Sequence, residues 1–196
     1  MTSTNARAVA PGRDVFALST GRACALWLAS GTLAALLCLY GLSAAMQDGQ
    51  FIPADHDSFY HARRILAALD APWRLLQFDP GIHAPEGSWV TWPWAYDMLL
   101  AALAHGGQAL FGAEPIALLA FVAPLAVFLN AGLLLACARR LELDGVPQIA
   151  VLLCFAVSGL THALHRVGML DHHFVEQAFV LATLYGGLRW STLPQG

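Results

Sequence analysis

Arg166-Val167-Gly168-Met169-Leu170-Asp171-His172-His173-Phe174-Val175-Glu176 sets a carboxylate, two imidazoles and a second carboxylate within six residues, between two apolar runs. Ionisable groups beside membrane-length segments are costly, and they are usually kept for function, paired with partners or lining a polar cavity. Aspartate and histidine also ligate divalent cations. The stretch therefore reads as one half of a metal site. The other half is expected much earlier in the chain, around Asp57.

Composition agrees with a membrane setting. The 196 residues are 58% hydrophobic and only 12% charged, where a soluble domain carries about 25% charged residues. All ten basic residues are arginine, and the net charge of -3 gives no reason to expect a nucleic-acid partner. Cys24, Cys38, Cys137 and Cys154 all lie in apolar runs without metal-type spacing, and read as small apolar side chains.

Working outward from the loop gives the topology. Residues 1–22 form a polar tail with Arg7, Arg13 and Arg22, followed by an uncharged run from Ala23 to Met46. That run is long enough to span a bilayer, which takes about twenty residues, and too long for a signal-peptide core. The arginines before it place the N-terminus in the cytoplasm.

Residues 47–113 then read as a first outer loop. Within it Phe59 to Leu69 is expected to be a short helix capped by Asp57 or Ser58, and Asp79 to Pro93 a turn-rich, aromatic segment. Trp94 to Phe111 is apolar and helical but contains Asp97 and His105. Laid along the outer surface rather than across the membrane, it lets Ile116–Ala138 run inward and puts Arg139-Arg140 in the cytoplasm, as the positive-inside rule asks. Val146–Leu164 returns outward, residues 165–173 form the second outer loop, and Phe174–Leu188 goes back in before Arg189. The expected fold is an all-α polytopic membrane protein: four spans plus one surface helix, covering residues 23–190, with 191–196 as a tail.

Two constellations carry the chemistry. In Asp57-Ser58-Phe59-Tyr60-His61-Ala62-Arg63, Asp57 and His61 are four apart on one helix face, with Asp57 either a ligand or only a cap. In Asp171-His172-His173 an extended loop would aim Asp171 and His173 the same way. Glu176 is then a partner of the site or a cap for the next helix. His83 and Glu86 either line the site or are solvated loop residues. Arg166 suits an anionic phosphate or serves as an interface anchor. Trp89, Trp92, Trp94 and Tyr96 suit a membrane-interface belt, with sugar stacking as the other reading. His162 and His165 are expected only to face the interface.

Taken together, these segments resemble the membrane domain of the oligosaccharyltransferase catalytic subunit, in its archaeal and bacterial single-subunit form. That family has an outer-loop motif like Asp-Pro-Tyr-Tyr-His-x-Arg; here Asp57-Ser58-Phe59-Tyr60-His61-Ala62-Arg63 matches it, with Ser58 in place of proline. A Gly-rich segment leading to Trp-Pro-Pro is matched by Pro85-Glu86-Gly87-Ser88-Trp89-Val90-Thr91-Trp92-Pro93, with Trp94 in place of the last proline. The family's Asp-x-His form of its second acidic motif is matched by Asp171-His172-His173.

The resemblance implies a GT-C glycosyltransferase fold and transfer of a glycan from a polyprenyl phosphate or diphosphate carrier to asparagine of an acceptor polypeptide. It implies Asp57 and Asp171 as catalytic residues, and Asp57, Asp171 and His173 as ligands of Mg²⁺ or Mn²⁺. His83, Arg63, Arg166 and His172 would then face the substrate. The family's later catalytic Glu and its Trp-Trp-Asp motif have no counterpart here, so the implied unit is an N-terminal portion that does not transfer alone, with the missing C-terminal portion as a partner. The competing readings are a non-catalytic membrane or transporter fragment with an Asp/His metal or proton site, and a GT-C enzyme with another acceptor.

Overall fold

The computed structural model describes residues 19–71, 74 and 76–191. The tail expected over residues 1–22 therefore lies almost wholly outside the described residues, as do residues 192–196. Helix makes up 69% of the structure, with little strand.

Helix α1, Thr20–Cys38, begins where the Ser19 hydroxyl accepts a hydrogen bond from the Arg22 N–H. It was expected to run to Met46 but ends earlier. A 3₁₀ turn at Leu39–Gly41 closes it, and β1 (Met46–Gln47) then pairs antiparallel with β2 (Gln50–Phe51). The turn between those strands is Asp48-Gly49, both at positive φ (51° and 80°). Asp-Gly is a preferred pair for a two-residue hairpin, which turns the chain before the apolar run is used up.

Helix α2, His56–Asp70, starts before the expected Phe59. Its cap is neither Asp57 nor Ser58 but Asp55, whose side chain accepts from the Ser58 N–H at 2.9 Å. Asp57 sits exposed in the first turn, released from capping duty. A second ribbon, β3 (Phe78–Asp79) with β4 (Ser88–Trp89), closes the proline-rich loop. Helix α3, Trp94–Phe111, is formed as expected and stops at Gly112, which adopts the left-handed conformation and donates to the Gln108 carbonyl.

The remaining helices form the bundle. Helix α4, Pro115–Leu119, capped by Glu114, leads through a slight break into α5, Val122–Arg140. The expected helix over 146–164 is not continuous: α6, Val146–Val157, and α7, Gly159–His165, meet at a 54° bend. Ser158 makes the break, because its hydroxyl accepts from the Leu160 N–H and restarts the helix. Helix α8, His173–Ser191, follows the Asp-His-His loop.

Two helical segments, Thr20–Gly41 and Pro115–Arg140, are long and apolar enough to cross a membrane, and the bent α6–α7 pair makes a third if it counts as one span. Helices α3 and α8 have the length but fall short in apolarity. Leu36, Leu125, Leu129, Phe179 and Val180 are all more than half exposed, as lipid-facing side chains would be.

Helix α5 packs against α1, α6 and α8. Its approach to α1 is close: a Cβ on Gly31 would fall 2.5 Å from the Phe128 ring, and Trp27 Nε1 donates to the Phe128 carbonyl at 2.7 Å. Small residues at a helix crossing allow this in a membrane, where dispersion contacts and interhelical hydrogen bonds drive association. A separate core joins α2, α3 and α4 with Met169 and Leu170 of the loop and Phe174 of α8. This cap layer holds the site.

Candidate metal centre

Helices α2 and α3 bury three charged or ionisable side chains against each other. His61 and Asp97 are fully buried and Arg64 is 1% exposed. His61 Nδ1 lies 2.5 Å from Asp97 Oδ1, and Arg64 NH1 lies 2.6 Å from Asp97 Oδ2. With the Asp97 carboxylate as acceptor, His61 carries its proton on Nδ1 and donates it. Its Nε2 is turned toward Asp171 and His172.

The Asp-His-His loop is fastened to this layer at several points. The Ser58 hydroxyl accepts from the Leu170 N–H (3.0 Å) and the Asp171 N–H (3.2 Å). The Tyr96 hydroxyl donates to the Leu170 carbonyl at 2.9 Å. Gly168 N donates to the Ala120 carbonyl, and Ala54 N donates to the Gly168 carbonyl. Gly168 has φ +80°, and a Cβ there would stand 2.7 Å from the Ile52 carbonyl oxygen. Only glycine fits. The Ser58 hydroxyl thus clasps the loop to α2.

At the loop's centre Asp171 is 5% exposed and faces two ways. Its Oδ1 lies 2.8 Å from His172 Nδ1 and 3.5 Å from His61 Nε2. Its Oδ2 lies 3.1 Å from His173 Nε2. Glu176 completes the cluster, with Oε1 3.2 Å from His172 Nε2 and Oε2 2.7 Å from His173 Nδ1. Two groups of residues have ligand atoms close enough together to hold a metal ion: His61, Asp171 and His172, and separately His172, His173 and Glu176.

Asp171 and His173 meet, with His173 opening α8 rather than continuing an extended loop, and Glu176 is a partner of the histidines. Asp57 belongs to neither group. The His173 imidazole is held above its ordinary range, chiefly by the hydrogen bond it donates to Glu176, against the opposing effect of burial.

The residues expected to face substrate divide. His172 is in the cluster. Arg166 is bound to Asp55 at 3.1 Å, where it ties the loop to the cap of α2. Arg63 pairs with the buried Asp79 at 2.9 Å. The Tyr60 hydroxyl donates to Asp79 Oδ2 at 2.8 Å, and burial together with that carboxylate raises the phenol to about 12. His83 is exposed, at φ 55°, and is not among the cluster's contacts.

Trp89 and Trp94 are largely exposed, as an interface belt requires. Trp92 is half-buried, and Tyr96 is buried and so cannot sit in an exposed belt. Trp92 packs on Tyr60 and His61, and Tyr96 is buried edge-on to His61. His165 does not face the interface either: it is fully buried, with Nε2 2.8 Å from Asn130 Nδ2.

Arg64, Asp97 and Ser58 are the site residues the sequence reading leaves out. Asp97 had a visible signal, as the only carboxylate in the apolar run Trp94–Phe111. Compared with protein-family models, with curated proteins and with solved structures, the chain matches none.

Proposed function

We propose that this chain is the metal-binding membrane portion of a glycosyltransferase that moves an oligosaccharide from a polyprenyl phosphate or diphosphate carrier to asparagine of an acceptor polypeptide. In this reading the chain has four spans in a GT-C arrangement, with α3 along the outer surface and α8 as the fourth span. The N-terminus is cytoplasmic and the Asp-His-His loop faces outward. One observation carries the proposal: Asp171 lies 3.1 Å from His173 and 3.5 Å from His61 of α2, so the Asp-His-His loop meets the helix that carries Asp57.

The donors fit a hard or borderline divalent ion. Asp57, Asp171 and His173 offer carboxylate oxygens and one imidazole, a set that suits Mn²⁺ better than the oxygen-seeking Mg²⁺. A bound ion would offset the negative charge developing on the departing phosphate oxygen. Asp57 is exposed in the first turn of α2 and free of capping, so it can also orient an acceptor amide. Glu176 holds His173 through Nδ1, which leaves Nε2 directed toward Asp171. Trp92 packs on the His61 ring.

The test is calorimetric titration of Mn²⁺ into the detergent-purified chain and its Asp57→Ala and Asp171→Ala variants. Loss of binding in both places the two loops at one site. Binding indifferent to either substitution sinks the proposal.

A further inference from the structure

We propose a second, inner metal position formed by His61 Nε2, His172 Nδ1 and Asp171 Oδ1, which takes a nitrogen-seeking transition ion such as Zn²⁺. It lies one layer deeper than the position proposed above and shares only Asp171 with it, Oδ1 facing inward and Oδ2 toward His173.

Distances support it. Tetrahedral zinc with bonds of about 2.0–2.1 Å separates its ligand atoms by about 3.3 Å. His61 Nε2 stands 3.4 Å from His172 Nδ1 and 3.5 Å from Asp171 Oδ1. The third edge, Asp171 Oδ1 to His172 Nδ1, is 2.8 Å, so His172 need swing out by only a few tenths of an ångström. His172 is partly exposed, on the rim of the cluster.

Orientation supports it independently. Metal-bound histidines almost always give their other nitrogen to a carboxylate or carbonyl, which fixes the ring and raises its basicity. Both histidines here do so: His61 Nδ1 is on Asp97, and His172 Nε2 is on Glu176. Asp97 is in turn anchored by buried Arg64. A bare structural histidine needs no such two-tier support.

Charge gives a third argument. Arg64 pairs with Asp97, whereas the inner oxygen of Asp171 meets the His61 and His172 rings and its outer oxygen faces His173. Asp97 and Asp171 are nearly or fully buried, where uncompensated carboxylates are costly. Three protein ligands leave one coordination position open, the arrangement of catalytic rather than structural zinc.

Co²⁺ is the probe, because its visible absorption reports nitrogen ligation and coordination number. The full chain in detergent is titrated with Co²⁺ and then with competing Zn²⁺. The expected result is an intense low-coordinate band, bleached by Zn²⁺, lost in His172→Ala and His61→Ala. In Asp97→Asn it should persist with about 10–100-fold weaker affinity. His172→Ala keeps the test valid if buried His61 proves needed for folding. Asp57→Ala should leave the band unchanged while weakening Mn²⁺, so the two proposals fail separately. Absence of the band in the wild-type chain overturns the inner position, as does a band indifferent to His172→Ala.

Discussion

His61 Nδ1 and Asp97 Oδ1 approach to 2.5 Å with both side chains fully buried, joining α2 to α3 at the floor of the cluster. Asp97 also holds Arg64, so a single carboxylate neutralises one cation and aims one imidazole. Removing it strands Arg64 as a buried charge. Asp97→Ala should therefore destabilise the protein by about 3–5 kcal/mol. Thermal unfolding in detergent, followed by circular dichroism, checks this; a variant that melts with the wild type would rule it out.

Gly168 fixes the loop's path. Its positive φ and the 2.7 Å clearance to the Ile52 oxygen leave no room for a side chain. Gly168→Ala should cost more than about 1 kcal/mol. Because Gly168 also bonds Ala120 and Ala54, metal affinity should fall with stability. Calorimetry and a melt on the same sample separate this from a loss of stability alone.

Asp79 and Tyr60 give a pH-dependent readout away from the cluster. The Gly81 N–H, followed by the Tyr60 hydroxyl and Arg63, holds the Asp79 carboxyl below its ordinary value. A depressed carboxyl contributes stability above its unfolded value, about 3.9, and that contribution is lost as pH falls through the lower folded value. Asp79→Asn should flatten the acid side of the stability profile. It should also bring the Tyr60 phenol down from about 12, part of the way only, since burial is the larger cause. Spectrophotometric titration of Asp79→Asn against Tyr60→Phe tests both.

Asn130 clamps both ends of the loop from inside the bundle. Its Nδ2 lies within bonding distance of His165 Nε2 before the loop and the Phe174 carbonyl after it. Interhelical hydrogen bonds in membrane proteins contribute about 0.6–2 kcal/mol. Asn130→Ala should destabilise by about that much, and Asn130→Leu should not recover it. Equal melting of all three proteins would show that the clamp contributes nothing.

Much of the architecture was legible because it rests on local pattern. Uncharged runs gave the α1 and α5 segments, Pro and Gly gave the loops, and Asp171-His172-His173 announced itself by charge in an apolar setting. Boundaries failed where a short-range competitor intervened. The Asp48-Gly49 hairpin ended the first run early, the Ser158 hydroxyl broke the expected third span, and Asp55 took the cap from Asp57. None of these depends on distant residues, but each is a contest between near-equal local energies that composition does not decide.

The cluster itself is a different case. The sequence by itself determined that this chain is helical, that parts of it suit a membrane, and that carboxylates and imidazoles gather around Asp57 and Asp171. Only the tertiary structure decided which of them meet. Asp171, with His61 from α2 and with His172 and His173 beside it, makes one cluster; Arg63 and Arg166 are consumed by ion pairs; Asp97 becomes the support of the site rather than a flaw in an apolar helix. The reason is physical. A histidine's tautomer, a carboxylate's two faces and the cost of a buried charge are all set by atoms a few ångströms away, and those atoms come from segments that sequence order keeps far apart.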